Sequence, residues 1–175
     1  MQSAKSLAGL AFLLTPLLLL TPLGSQEAHA SAAPKPVERD YRMAPPAPAR
    51  QSAADAAAKS EGCIGCHTGT DSKTMHASPA VQLGCTDCHG GQADVRAPDG
   101  AARGDARYVA AMEAAHVLPR YPDAWHYPSS ANPERTYTLL NREAREFVRF
   151  INPSDFRTAE LACGACHPVS YTHLT

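Results

Sequence analysis

Cys63-Ile64-Gly65-Cys66-His67 and Cys85-Thr86-Asp87-Cys88-His89, with only residues 68–84 between them, set the terms on which the rest of this chain is read, and Cys163-Gly164-Ala165-Cys166-His167 repeats the pattern. The three copies use all six cysteines. On a short helix, positions i and i+3 face the same way, so the two thiols of a pair can add to the two vinyl groups on one haem edge. Position i+4 lies beside them, and its imidazole arrives under the iron as the proximal ligand. This reading assigns Cys63, Cys66, Cys85, Cys88, Cys163 and Cys166 to thioether links and His67, His89 and His167 to proximal iron ligation, with three covalently bound haem c groups as cofactors.

Two other chemistries use paired cysteines. Zinc takes two such pairs in one tetrahedral site, but three pairs leave one unmatched, and zinc does not require a histidine directly after each pair. Disulfides suit an exported chain, yet bridges across so short a spacing are strained and redox-active, and they leave the three histidines unexplained. Of the eight histidines, His29 falls in an N-terminal targeting segment and His173 in an anomalous C-terminal tail. With the three proximal ligands set aside, His76, His116 and His126 remain as candidate distal iron ligands, one for each iron. His76, in Thr74-Met75-His76-Ala77-Ser78, has enough chain after His67 to reach the other haem face or the next haem. His116 falls on a helix face. His126, between Trp125 and Tyr127, reads equally well as a packed or hydrogen-bonded histidine. Met75 and Met112 are alternative axial ligands, although isolated methionines more often fill gaps in a core.

The chain has 175 residues, a net charge of −1 and a pI near 6.7, which excludes a basic field for nucleic acid. Fifteen prolines, four phenylalanines and one tryptophan make a poor apolar core for this length, so a large apolar cofactor is expected to fill the interior. Lys5, the apolar run 7–20 and Ala28-His29-Ala30 read as a signal peptide over residues 1–30, with an uncleaved anchor as the alternative. No stable membrane span is expected after cleavage. Residues 31–58 are rich in alanine and proline and read as a disordered linker. The haem-binding domain is expected over 59–168.

Within that domain an amphipathic helix is predicted over 107–116, with Val109, Met112 and His116 near one face, and an irregular aromatic and proline segment over 121–133. The strongest helix is predicted over 138–151, with Leu140, Ala144, Phe147, Val148 and Ile151 on the buried stripe and Arg142, Glu143, Arg145, Glu146 and Arg149 opposite, ended by Asn152-Pro153. A second short helix, starting near Ser154 or Thr158, carries Leu161 into the third motif. No convincing alternating strand is present. The expected class is therefore mainly α with extensive irregular structure and no substantial β-sheet. The last seven residues, Val169-Ser170-Tyr171-Thr172-His173-Leu174-Thr175, match a translated sequencing-library adapter. They are expected to be a non-native tail.

The run 61–91, with its first motif, its Met75-His76-Ala77-Ser78 element and a second motif ending Cys88-His89-Gly90-Gly91, resembles the paired-haem modules of large multihaem c-type cytochromes of the respiratory-chain type. The stretch 114–167 resembles part of long exported cytochromes in which further motifs follow, so the chain is expected to be an N-terminal part of such a protein. The resemblance implies a fold organised around haems, haem attachment outside the cytoplasm, and a periplasmic or extracellular location. It implies His76 as a distal ligand. Three motifs matched by three possible distal histidines leave no iron open to a substrate, so an electron carrier with no catalytic residues of its own is expected, whose partners are redox proteins or other cytochromes. The alternative is a reductase of a small nitrogen or sulfur oxyanion with one open iron, for which His116, Arg120, Tyr121 and His126 would supply the polar surroundings.

Overall fold

In the computed structural model of the chain, which describes residues 33–68, 76, 78–125 and 137–168, the regular elements are all helical. They are α1 (Ala53–Ala58), α2 (Glu61–Cys66), α3 (Cys85–His89), α4 (Ala106–Ala115), α5 (Arg145–Ile151) and α6 (Ala159–Cys163), with 3-10 turns at Pro122–Ala124 and Tyr137–Asn141. Among the described residues there is no strand, only a bridge residue at Trp125, and no helix long and apolar enough to cross a membrane. The expected signal segment, the C-terminal tail, Met75 and His126 lie outside the described residues.

The motifs fall where short helices are easy to start. Each begins or ends one: α2 ends on Cys66, α3 spans the second motif, and α6 ends on Cys163. Helices of five to seven residues are not stable alone, so their positions come from tertiary contacts. One source of those contacts is a small apolar cluster of Ala124, Trp125, Leu139, Leu140, Phe147 and Val148, with Tyr41, Val117, Tyr121 and Ile151 around it. Trp125 meets Phe147 edge-on, ring centres 5.1 Å apart. Burying each of these large side chains contributes about 2 kcal/mol.

Two sequence expectations are corrected here. The predicted helix over 138–151 is broken: a 3-10 turn ends at Asn141, and α5 starts only after Ala144, whose ψ of 143° is extended. The cause is Glu143, which the periodicity placed on the solvent side but which is buried. Its carboxylate accepts hydrogen bonds from the backbone N–H groups of Arg120 (2.6 Å) and Tyr121 (3.0 Å) and from Trp125 Nε1 (2.8 Å). Three otherwise orphaned donors are satisfied by turning one residue inward, and the helix is interrupted to let it turn.

The second correction concerns the linker. Residues 33–52 form no regular element but are tied to the body, and 53–58 are helix α1, its Asp55 N–H donating to the Ser52 hydroxyl. Val37 N–H donates to the Arg120 carbonyl (2.7 Å), Arg39 Nε to the Pro119 carbonyl (2.8 Å) and the Tyr41 hydroxyl to the Leu118 carbonyl (2.9 Å). A proline-rich extended chain makes no internal hydrogen bonds, so its carbonyls need outside partners. Arg149 supplies them: its guanidinium, 1% exposed, donates to the carbonyls of Ala44 (2.6 Å) and Pro45 (2.8 Å). The residue that the helical pattern put on the polar face is thus the largest fully buried side chain.

The candidate haem-attachment site

The second motif is held from both ends. At its start, the Cys85 N–H donates to the Ser60 hydroxyl (3.0 Å), and the Thr86 N–H and hydroxyl both donate to the Lys59 carbonyl (3.1 Å each). Asp87, 5% exposed, accepts from the Gly84 N–H (2.8 Å), from the Lys59 ammonium (2.7 Å) and from the Gln51 amide. Burial alone would raise the Asp87 carboxyl, but Lys59, the Gly84 N–H and Gln51 together hold it below the usual carboxylate range. At its end, Arg149 also donates to the carbonyls of Asp87 (2.7 Å) and Cys88 (3.0 Å). Burial lowers the Arg149 guanidinium while the neighbouring Cys88, Cys163 and Asp87 raise it.

This scaffolding carries the first motif onto the second. The residues that precede Cys63 are the same ones that grip the N-terminus of α3, and the neighbouring Cys85 thiol together with burial pushes the Cys63 thiol upward. The third motif arrives from the other side, because α3 packs against both α5 and α6. Cys88 is raised by burial and then by the nearby Cys163. The α5 to α6 turn that delivers Cys163 is pinned by Arg157, which pairs with Asp155 (2.8 Å) and donates to the Asn141 side chain. All six cysteines are free thiols. The three motifs, separated by residues 68–84 and 90–162, therefore share one neighbourhood.

The exit from the second motif explains its glycines. Gly90 and Gly91 have φ of 73° and 81°, a region that other residues enter at a cost, and a Cβ on Gly91 would lie 2.7 Å from the Ala115 carbonyl and 3.0 Å from the Phe150 ring. The turn lets Gln92 N–H donate to that Ala115 carbonyl (2.9 Å), which ties the end of α4 to the second motif. α4 also comes close to the first motif, where the neighbouring Cys66 thiol raises the Tyr108 hydroxyl above its ordinary value.

The histidines are distributed accordingly. His89 Nδ1 lies 2.6 Å from the Phe150 carbonyl. A carbonyl only accepts, so Nδ1 carries the proton and Nε2 is left with the lone pair a metal requires. His116, just past α4, has its ring centre 6.2 Å from that of His67 and 5.0 Å from that of Phe150, and burial and then His67 lower its basicity. His76 has its ring centre 6.1 Å from that of His167. Tyr121, one of the polar residues expected around an open iron, instead packs against the apolar cluster.

The donor set suits an iron porphyrin. The porphyrin supplies four equatorial nitrogens, so the protein need give only one imidazole on each face and two thiols at an edge. Among the described residues, no three His, Cys, Asp or Glu side chains converge on one point as a bare metal ion would need. Periodicity did not single out Arg149, which holds the second motif through the Asp87 and Cys88 carbonyls, or Phe150, whose own carbonyl meets His89, because these partners are distant in sequence. Compared with protein-family models, curated proteins and solved structures, the chain matches none.

Proposed function

We propose that the chain is an exported multihaem c-type cytochrome that carries electrons through three covalently attached haems. The observation that supports it most is the convergence of the three motif helices: Cys63 adjoins Cys85, Cys163 lies near Cys88, and α3 packs against α6. A haem iron, when bound, changes its charge by one electron at a time between ferric and ferrous forms. The polypeptide contributes the attachment points, brought together so that charge can pass from one to the next without protein motion. It also contributes the imidazoles, with Phe150 holding the proton of His89 on the nitrogen away from the iron. Partners on this reading are other redox proteins or cytochromes in the periplasm or at the cell surface.

The test is to produce the full chain in a host that attaches haem c and to measure its intact mass and its peroxidase-active colour on a denaturing gel. Three haems retained after denaturation are expected. A mass equal to the bare polypeptide would end this reading. Cyanide and nitrite titrations of the same sample separate a carrier, whose irons stay six-coordinate, from a reductase with one iron that binds the added anion.

A further inference from the structure

Resting on that reading, the geometry points to which histidine serves which iron. We propose that His116 is the distal ligand of the iron held by His67, and that His76 crosses from the segment after the first motif to the iron held by His167. The Met75-His76 element would then serve the third haem and neither haem of its own pair.

The argument starts from a length. A metal–imidazole bond is about 2 Å and the ring centre lies about 1.2 Å beyond the ligating nitrogen, so two imidazoles on opposite faces of one iron have ring centres about 6.4 Å apart. The two histidine pairs stand at 6.2 Å and 6.1 Å. Each unites one motif histidine with one histidine outside the motifs, which is the composition that two-sided ligation requires. Neither pairing is local in sequence: His67 and His116 come from the two ends of a long excursion, and His76 and His167 from farther apart still.

The fold also explains why His116 is held in place. It is the residue that follows α4, its N–H still bonded to the Met112 carbonyl (3.1 Å), and the residue before it is locked by Gln92 and by the close approach of Gly91. The exit loop of the second motif therefore fixes the ligand of the first iron. Phe150, which touches the rings of both His89 and His116, lies between the two.

The experiment uses the full chain matured with haem, with His116→Ala and His76→Ala made separately and read by electron paramagnetic resonance and optical spectra. Each variant is expected to convert one iron of the three from low-spin to high-spin, and added imidazole should return it to low-spin. Location follows from a second cycle: in protein lacking the first haem (Cys63→Ala with Cys66→Ala), His116→Ala should create no high-spin iron, and His76→Ala should create none in protein lacking the third (Cys163→Ala with Cys166→Ala). Three low-spin irons in either single variant, or a high-spin iron that persists in the matching haem-deleted background, overturns the assignment. If His116→Ala fails to accumulate, His116→Met keeps six-coordination and should raise the potential of one haem. An unchanged potential there counts against the pairing. Wild-type protein with three low-spin haems but unresponsive variants would sink only this assignment, whereas wild-type protein without haem would sink the proposed function beneath it.

Discussion

The stretch from Val117 to Ile151 and the stretch from Ala53 to His116 are held in different ways. The first has a side-chain core: Trp125, Leu139, Leu140, Phe147 and Val148 are buried against one another, and Glu143 satisfies the backbone around them. The second contains four helices and two motifs but, among its described residues, buries only Ala56 of the apolar side chains, and α4, the longest helix described, buries none. A ten-residue helix with no buried face is marginal in water. On the proposed function the contrast locates the dependence on cofactor: one region folds on its own side chains, and the other would be arranged around the haems.

Blocking haem attachment is therefore the strongest way to break the comparison. In protein made without attachment, amide exchange in α4 is expected to be at least about a hundredfold faster than in mature protein, while α5 keeps most of its protection, because local opening is set by the contacts each segment has. Hydrogen exchange read by mass spectrometry on peptides covering 106–115 and 145–151 decides it. Equal protection of α4 in both forms would mean that the helix is held by polypeptide alone.

Much of this division was legible in the sequence. The motifs, the helix ending at His116, the stop at Asn152-Pro153 and the shortage of core residues all follow from spacing, periodicity and composition. What escaped is where a polar residue turns inward. Glu143 and Arg149 sit at positions that a helical wheel assigns to solvent, and the groups that justify burying them, the amides at 120–121 and the carbonyls at 44–45 and 87–88, belong to segments far away in the chain. Periodicity carries no information about such partners. For the same reason an alanine- and proline-rich segment read as a linker, when its unsatisfied carbonyls are what dock it.

Arg149 joins the two regions, so its loss should cost both. Arg149→Met would leave four carbonyls without their charged donor and is expected to destabilise the mature protein by about 4 kcal/mol, measured by denaturant unfolding. Arg149→Lys should recover less than half of that, because a single ammonium cannot reproduce the forked geometry. A loss under about 1 kcal/mol would show that residues 44–45 and α3 are held by other contacts.

Asp87 tests the motif region alone. Asp87→Asn is expected to cost about 2 kcal/mol, since the buried carboxylate both caps α3 and receives Lys59. Its pKa in the folded protein is depressed, so its contribution is fully present above the ordinary carboxylate pKa of about 4 and is lost as pH falls through the lower folded value. Stability of wild type should thus fall more steeply than that of the Asn variant below about pH 4, and parallel curves would remove Asp87 from the account.

The smallest effect is the most discriminating, because its sign depends on what α4 packs against. Val109 is 36% exposed and lies two turns before His116 on the same face. On a helix facing only water, Val109→Ala should stabilise by a few tenths of a kcal/mol, alanine being the better helix former. If His116 reaches an iron, that face lies against a haem, and the two lost methyl groups outweigh the propensity gain at about 0.8 kcal/mol each. Mature protein carrying Val109→Ala is accordingly expected to be about 1 kcal/mol less stable than wild type. A gain in stability, measured on protein with all three haems attached, would mean that α4 turns its His116 face to solvent and that the contrast between the two regions has another origin.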